Sequence, residues 1–285
     1  MNKKSAVRDI IVQRILADLA EGVPTWKKPW SMANSPCNYH SGHVYTGVNR
    51  LILATRGYED NRYLTASQAG KLGGHISLDE EGTPVVWWNL IEVDEEDKTT
   101  GKKKKVPFMR YYTLYNITQA DGIDIKPLKR APKPRKSTAI RRAQEVVDNY
   151  PDPCPAIILD GDRERASFIL PTDSIRMPLM EQFETQEDYW NTLFHELAHS
   201  TGVESRLDRR QLDTDTSAYL YGREELIAEI TASFLCAHCG ITGVEESQSS
   251  YVDGWLKVIG ENPSLIITAA GHAEKAYKFI VGEDG

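Results

Sequence analysis

Cysteine is scarce, with four residues in a chain of 285, Cys37, Cys154, Cys236 and Cys239. That is too few to staple a protein of this length, so a disulfide scaffold is excluded and a reducing cytoplasm is the expected compartment. Long apolar runs are also missing. None approaches the roughly 18 residues that a bilayer-spanning helix needs, so no membrane partner is expected. The N-terminal MNKKSAVRDIIVQRILADLAEG starts basic, but acids interrupt its apolar part; it reads as an amphipathic helix and not as a secretory leader. Cys236-Ala-His-Cys239 has no second CxxC to complete a zinc knuckle and follows an apolar stretch, which points to buried thiols. No internal repeat is present. What remains is a chain with 40% hydrophobic residues and 9% aromatics, enough for a sizeable core and, from its length, for two domains.

The net charge of −7 conceals a division. Residues 1–142 carry 24 Lys and Arg against 15 Asp and Glu, and residues 143–285 carry 10 against 26. Within the first half the excess sits in residues 126–142, KPLKRAPKPRKSTAIRR, with eight bases and no acid. Pro127, Pro132 and Pro134 make this a linker or exposed arm. The expected organisation is residues 1–125, a basic linker over 126–142, and residues 143–285. By charge, residues 1–142 are the candidate for nucleic acid and residues 143–285 would repel it.

In the first part, helices are expected over residues 6–20, 48–56 and from the Thr65 cap to Gly73-Gly74. TPVVWWNLIEV and RYYTLYNI read as strands joined by a polar tip, DEEDKTTGKKKK. In the last part, STAIRRAQEVVDNY is a helix. AIILDGD, ASFILP and SIRMP are strands, and helices cover residues 185–201, 222–238, 249–259 and 264–281. Both parts are mixed, so the fold class is α+β.

Residues 187–200, EDYWNTLFHELAHS, contain His195-Glu-x-x-His199. On a helix the two histidines lie one turn apart on one face, so both imidazoles can reach one zinc or other divalent ion. Glu196 is placed as the general base toward a water on that ion. A third histidine close behind is lacking, since residues 200–210 read STGVESRLDRR. A glutamate on the following helix is the other solution, and YGREELIAEITASFL offers Glu225 and Glu229, four apart on one face. The spacing resembles that of gluzincin peptidases, in which the first acid is the ligand. The alternative has Glu229 binding and Glu225 holding a ligand histidine in its tautomer. Tyr219 and Tyr221 are read as oxyanion donors or as packing. SIRMP is read as the edge strand on which a peptide would lie, or as plain packing.

In the N-terminal half, Trp26-Lys27-Lys28-Pro29-Trp30 alternates rings and bases, and NYHSGHVYTGVNR, with Tyr45, does so more loosely. Rings stack on bases and cations track phosphates. Asn38, Asn49 and Gln68 are candidates for hydrogen bonds to DNA. With no recognition helix rich in Arg and Lys, single-stranded nucleic acid is the better match. Construction of a small aromatic core from Trp26, Trp30, Trp87 and Trp88 is the competing reading.

The whole chain resembles the ArdC-type antirestriction proteins of conjugative plasmids. The matching elements are EGVPTWKKPW, PCNYHSGHVYTGVNRLIL, YLTASQAGKLGGHI and RYYTLYNITQADG, then DSIRMPLMEQF, YWNTLFHELAHSTG, SRLDR and YGREELIAEI. The N-terminal part is also similar to the start of plasmid-encoded TraC-type primases. The resemblance implies a small single-stranded-DNA-binding domain followed by a zincin-like, gluzincin-type metallopeptidase domain. It further implies transfer into the recipient cytoplasm with incoming DNA, which is protected there from restriction. The implied protein partner is a host restriction component or another peptidase substrate. A DNA-coating protector whose metal site is structural is the alternative.

Overall fold

The computed structural model describes residues 12, 13, 15–17, 20, 35–96, 103–128, 135–209, 218–242, 255–257, 259–262 and 264–283. The first half is built on a four-stranded sheet of order β1-β2-β5-β4: β1 Cys37–Asn38, β2 Arg62–Leu64, β4 Thr83–Glu96 and β5 Lys103–Asn116. Most of it is the β4–β5 hairpin, whose branched and aromatic residues favour the pleated conformation. The polar tip is shorter than expected. Pairing continues through Glu92 opposite Lys105 and, after a register shift, to Glu96 opposite Lys103. A second small sheet pairs β3 His75–Ile76 with β6 Ala120–Asp121.

Helix α1 spans Gly47–Ala54 and α2 spans Ala66–Lys71. The α2 cap is the expected one: Gln68 N–H donates to Thr65 Oγ1 at 3.2 Å, and Thr65 N–H donates to Gln68 Oε1 at 2.9 Å. Gly74 follows because a Cβ there would collide with the Asp121 carbonyl.

In the second half β7 Ala156–Leu159, β9 Ser174–Met177 and β8 Ser167–Ile169 form a sheet of order β7-β9-β8. The SIRMP segment is therefore the central strand and not an edge. Three of its four residues are buried, and it is paired on both sides. The edge beside the metal-motif helix is β8. Helices α3 Lys136–Asp148, α4 Gln186–Ser200, α5 Ala218–Cys239 and α6 Ser264–Val281 pack around this sheet. Helix α3 starts inside the basic stretch that was read as linker, and Lys136 Nζ reaches Glu187 Oε1 on α4 at 2.8 Å. Tyr219 and Tyr221 belong to α5, not to the loop before it. No helix among the described residues is long and apolar enough to cross a membrane.

One core joins the halves. Leu51 and Ile52 of α1 and Val86 of β4 share it with Phe194 and Leu197 of α4, Ile230 and Phe234 of α5, and Ile266 and Ala269 of α6. Val12 and Ile15 of the N-terminal segment are buried in it as well. The junction also holds a buried ion pair, Arg50 Nη1 to Glu274 Oε2 at 3.0 Å, and the same oxygen accepts from Gly47 N–H. Gly47 adopts a left-handed φ of 57°, which a residue with a Cβ would adopt only with strain.

Candidate metal centre

The metal-motif helix α4 begins at Thr185, whose hydroxyl accepts from the Asp188 amide at 3.1 Å. Its apolar positions, Leu193, Phe194, Leu197 and Ala198, are buried. That face fixes the rotation of the helix, turning His195 and His199 toward α5 and Glu196 toward β8. Helix α5 is apolar on several faces at once, with Leu226, Ile227, Ala228 and Ile230 all buried. Its acids therefore have one way to point, into the gap between the helices.

There the side chains converge. His195 Nε2 and His199 Nε2 lie 3.0 Å apart. Glu225 faces both, Oε2 at 3.5 Å from the first and Oε1 at 3.5 Å from the second. Two nitrogens about 2.0–2.1 Å from one tetrahedral zinc would be about 3.3 Å apart, so the donor set has the spacing that a single small cation requires. His195, His199 and Glu225 each offer an atom within 4.8 Å of the others. Glu229 is placed differently: its Oε1 lies 3.4 Å from His195 Nδ1, behind the ring.

The third acid was not foreseen. Glu224 Oε1 lies 3.5 Å from His199 Nδ1, so each imidazole has its own carboxylate at Nδ1. Carboxylates in that position fix the tautomer that leaves Nε2 free to bind. Glu224 is itself held by the buried Arg209, through Nε at 3.1 Å and Nη2 at 2.7 Å. Arg209 also donates to Thr201 Oγ1 and to the Ala198 carbonyl, both at 2.6 Å. Three residues earlier, Arg206 grips Asp173 with both terminal nitrogens and donates to the Ser200 carbonyl at 2.8 Å. The SRLDR segment thus ties the end of α4 to the sheet and to α5. The sequence signal for Glu224 was the second base of SRLDR, which needed a buried acid.

The electrostatics favour a cation. Burial lowers the His195 pKa, but hydrogen bonds to Glu225 and Glu229 outweigh it and hold it up at about 10. Burial raises the Glu224 pKa, yet His199 and Arg209 bring it down to about 2. Glu196 stands at the side of the site, where its Oε2 accepts from the Phe168 amide of β8 at 2.6 Å. Asp188, Asn191, Phe183 and Trp255 line the adjoining cleft of about 270 Å³.

Comparison with known proteins agrees with both halves. Residues 5–115 match the model for the N-terminal domain of the anti-restriction factor ArdC, and residues 147–272 match a zincin-like metallopeptidase model. A plasmid-borne antirestriction ArdC protein in its metal-free crystal form is 33% identical, with a TM-score of 0.73 and 97% of each chain covered. The chain belongs to the ArdC antirestriction family. The Mn(II)-bound form of that relative matches at 30% identity, with a TM-score of 0.74 and the same coverage. A DNA primase TraC of Escherichia coli is 32% identical over 98% of this chain, and the chain spans 27% of that protein's length.

In the ArdC N-terminal domain, three of the residues read as DNA contacts meet one another. Asn38 Nδ2 donates to Tyr45 Oη at 3.2 Å and to Gln68 Oε1 at 3.1 Å, and Asn38 Oδ1 accepts from the His40 and Ser41 amides. Asn49 is engaged at both ends of its amide, donating to the Val86 carbonyl at 2.6 Å and accepting from the Val86 N–H at 2.9 Å. These side chains build the domain's frame. Trp26, Lys27, Lys28 and Trp30 lie outside the described residues. Cys236 and Cys239 are buried, and burial pushes the Cys239 thiol up to about 12, which suits packing and not redox chemistry.

Proposed function

We propose that this ArdC-family chain protects incoming plasmid DNA from host restriction during conjugation. It does so by holding single-stranded DNA with residues 1–125 and the basic stretch 126–142, and by carrying a divalent metal centre in residues 143–285. His195, His199 and Glu225 are the metal ligands, with Glu229 and Glu224 as the carboxylates that orient the two rings. The convergence of both Nε2 atoms on Glu225, with a separate carboxylate at each Nδ1, carries this reading. Zinc suits two nitrogens and one carboxylate, and the crystalline ArdC relative in a Mn(II)-bound form makes manganese the other candidate. The place of action is the cytoplasm of the recipient cell, reached together with the DNA.

When bound, a divalent ion supplies Lewis-acid polarisation of a carbonyl. The chain supplies the rest of a peptide hydrolysis. Glu196 is anchored through Oε2 by the Phe168 amide, which leaves Oε1 to accept a proton from an attacking water and return it to the departing nitrogen. The protein substrate would be a host restriction component or another recipient protein. A second reading keeps the metal structural and lets occupancy of the strand give protection. The Phe168 amide on Glu196 favours it, because the carboxylate already has a strong partner within the protein.

Glu196→Gln separates the two. With metal content and single-strand binding unchanged, loss of protection of transferred DNA supports the peptidase. Full protection at wild-type level removes it and leaves the second reading.

A further inference from the structure

The β4–β5 hairpin presents a face that neither the metal centre nor the Asn38–Tyr45–Gln68 frame uses. At its base both sides are covered. Val85 and Leu114 are buried with Leu53 and Tyr63, and Val86 is buried in the main core. Across from Val85 and one step beyond it the cover thins: Tyr112 is 44% exposed and Trp87 is 44% exposed, while Trp190 and Trp255 are 3% and 4% exposed.

The ladder pairs Val85 with Tyr112 and Trp87 with Arg110. In an antiparallel pair directly opposed residues share a face, and so do alternate residues along each strand. Trp87, Arg110 and Tyr112 therefore stand on one face. Arg110 lies across from the indole, and Tyr112 is the diagonal neighbour at about 7–8 Å. Arg110 is exposed as well. No acid occurs within Thr83–Asn89 or in the facing stretch Phe108–Leu114, which carries Arg110; the acids of β4 stand farther out, with Glu92 opposite Lys105 and Glu96 opposite Lys103. Asn49 fixes the base of this face through its two bonds to Val86.

We propose that Trp87, Arg110 and Tyr112 form a stacking platform for single-stranded DNA, two rings taking successive unpaired bases and the guanidinium taking the phosphate between them. The proposal rests on the single-strand reading above and assigns the contact to the hairpin. An exposed ring pair beside a cation, on a segment without acids, is complementary to a flexible polyanion whose bases are free to stack. A duplex keeps its base faces covered, so it would gain only the charge.

The test uses the full chain and a fluorescein-labelled oligothymidylate. Trp87→Ala and Tyr112→Ala should each weaken binding about tenfold, and Trp87→Phe by no more than about threefold. Arg110→Ala should lower the slope of log affinity against log salt by about one. In parallel, an oligonucleotide carrying 5-iodouracil is cross-linked to the unmodified protein and the adducts are mapped. Adducts on Trp87 or Tyr112 support the platform even where a variant folds poorly.

Wild-type affinity in the double variant Trp87→Ala/Tyr112→Ala, or adducts confined to other segments, overturns it. A wild-type chain that binds no single strand overturns the single-strand reading as well. Intact DNA binding with lost antirestriction in the double variant would make this face a protein-docking surface instead, which also overturns the proposal.

Discussion

Around His195 and His199 each functional atom has a neighbour that holds it, whereas on the β4–β5 hairpin Trp87 and Tyr112 are partly open to solvent. At the metal centre the rings are braced from behind by Glu229 and Glu224, and Glu224 is braced by Arg209. On the hairpin the base is clamped by Asn49 and the working face is left uncovered. The difference follows from the ligands. A small cation binds only where donors are already placed to within tenths of an ångström, so the protein must fix them in a buried polar network. A single strand brings its own flexibility and large flat surfaces, so it needs rings that are accessible and only roughly spaced.

Breaking the braced side should have the largest effect. Arg209→Ala leaves Glu224 buried without its partner and should lower the free energy of unfolding by about 3–5 kcal/mol, read from urea denaturation. Glu225→Ala removes the proposed third ligand and should weaken metal binding more than Glu229→Ala or Glu224→Ala. Those two should cost about 10–100-fold, by calorimetric titration of the metal-free protein. A larger loss in Glu229→Ala would exchange the roles of the two acids.

Protons compete with the metal for the same pocket. The folded His195 pKa of about 10 lies above its ordinary 6.5, so in the metal-free protein its stabilising contribution is complete below pH 6.5. It is lost as pH rises toward 10. Metal uptake must displace that proton, so apparent affinity should climb by up to about tenfold per pH unit in the same window. Titration in buffers of different ionisation enthalpy would show the released proton.

The smallest effect sharpens the contrast. Trp87→Ala should change stability by less than about 0.5 kcal/mol, whereas Phe194→Ala beneath the metal motif should cost about 3–5 kcal/mol. Thermal or urea midpoints for the pair would measure it.

Much of this architecture was readable along the chain because it is local. The i, i+4 histidines, the apolar positions that orient α4, the Thr65 cap and the branched and aromatic strands of the hairpin each depend on residues within a few positions. What involved partners distant in sequence was not. SIRMP has the composition of any short strand, and its central place was set by pairing with both β7 and β8. The bonds from Asn49 to Val86, 37 positions away, likewise appear only in the fold. Glu224, beside the two acids under consideration, was overlooked because its partners His199 and Arg209 come from two other segments.

The sequence by itself determined that a metal-motif helix and a glutamate helix exist, that the two halves of the chain carry opposite charge, and that the whole has the ArdC pattern. Periodicity and composition suffice for those. The tertiary structure decided which acid faces both Nε2 atoms, which ones stand behind the rings, and which aromatics remain outside the core. Those outcomes depend on how α4 and α5 rotate against each other and on where the hairpin leaves the body, and both are set by packing between residues far apart in the chain.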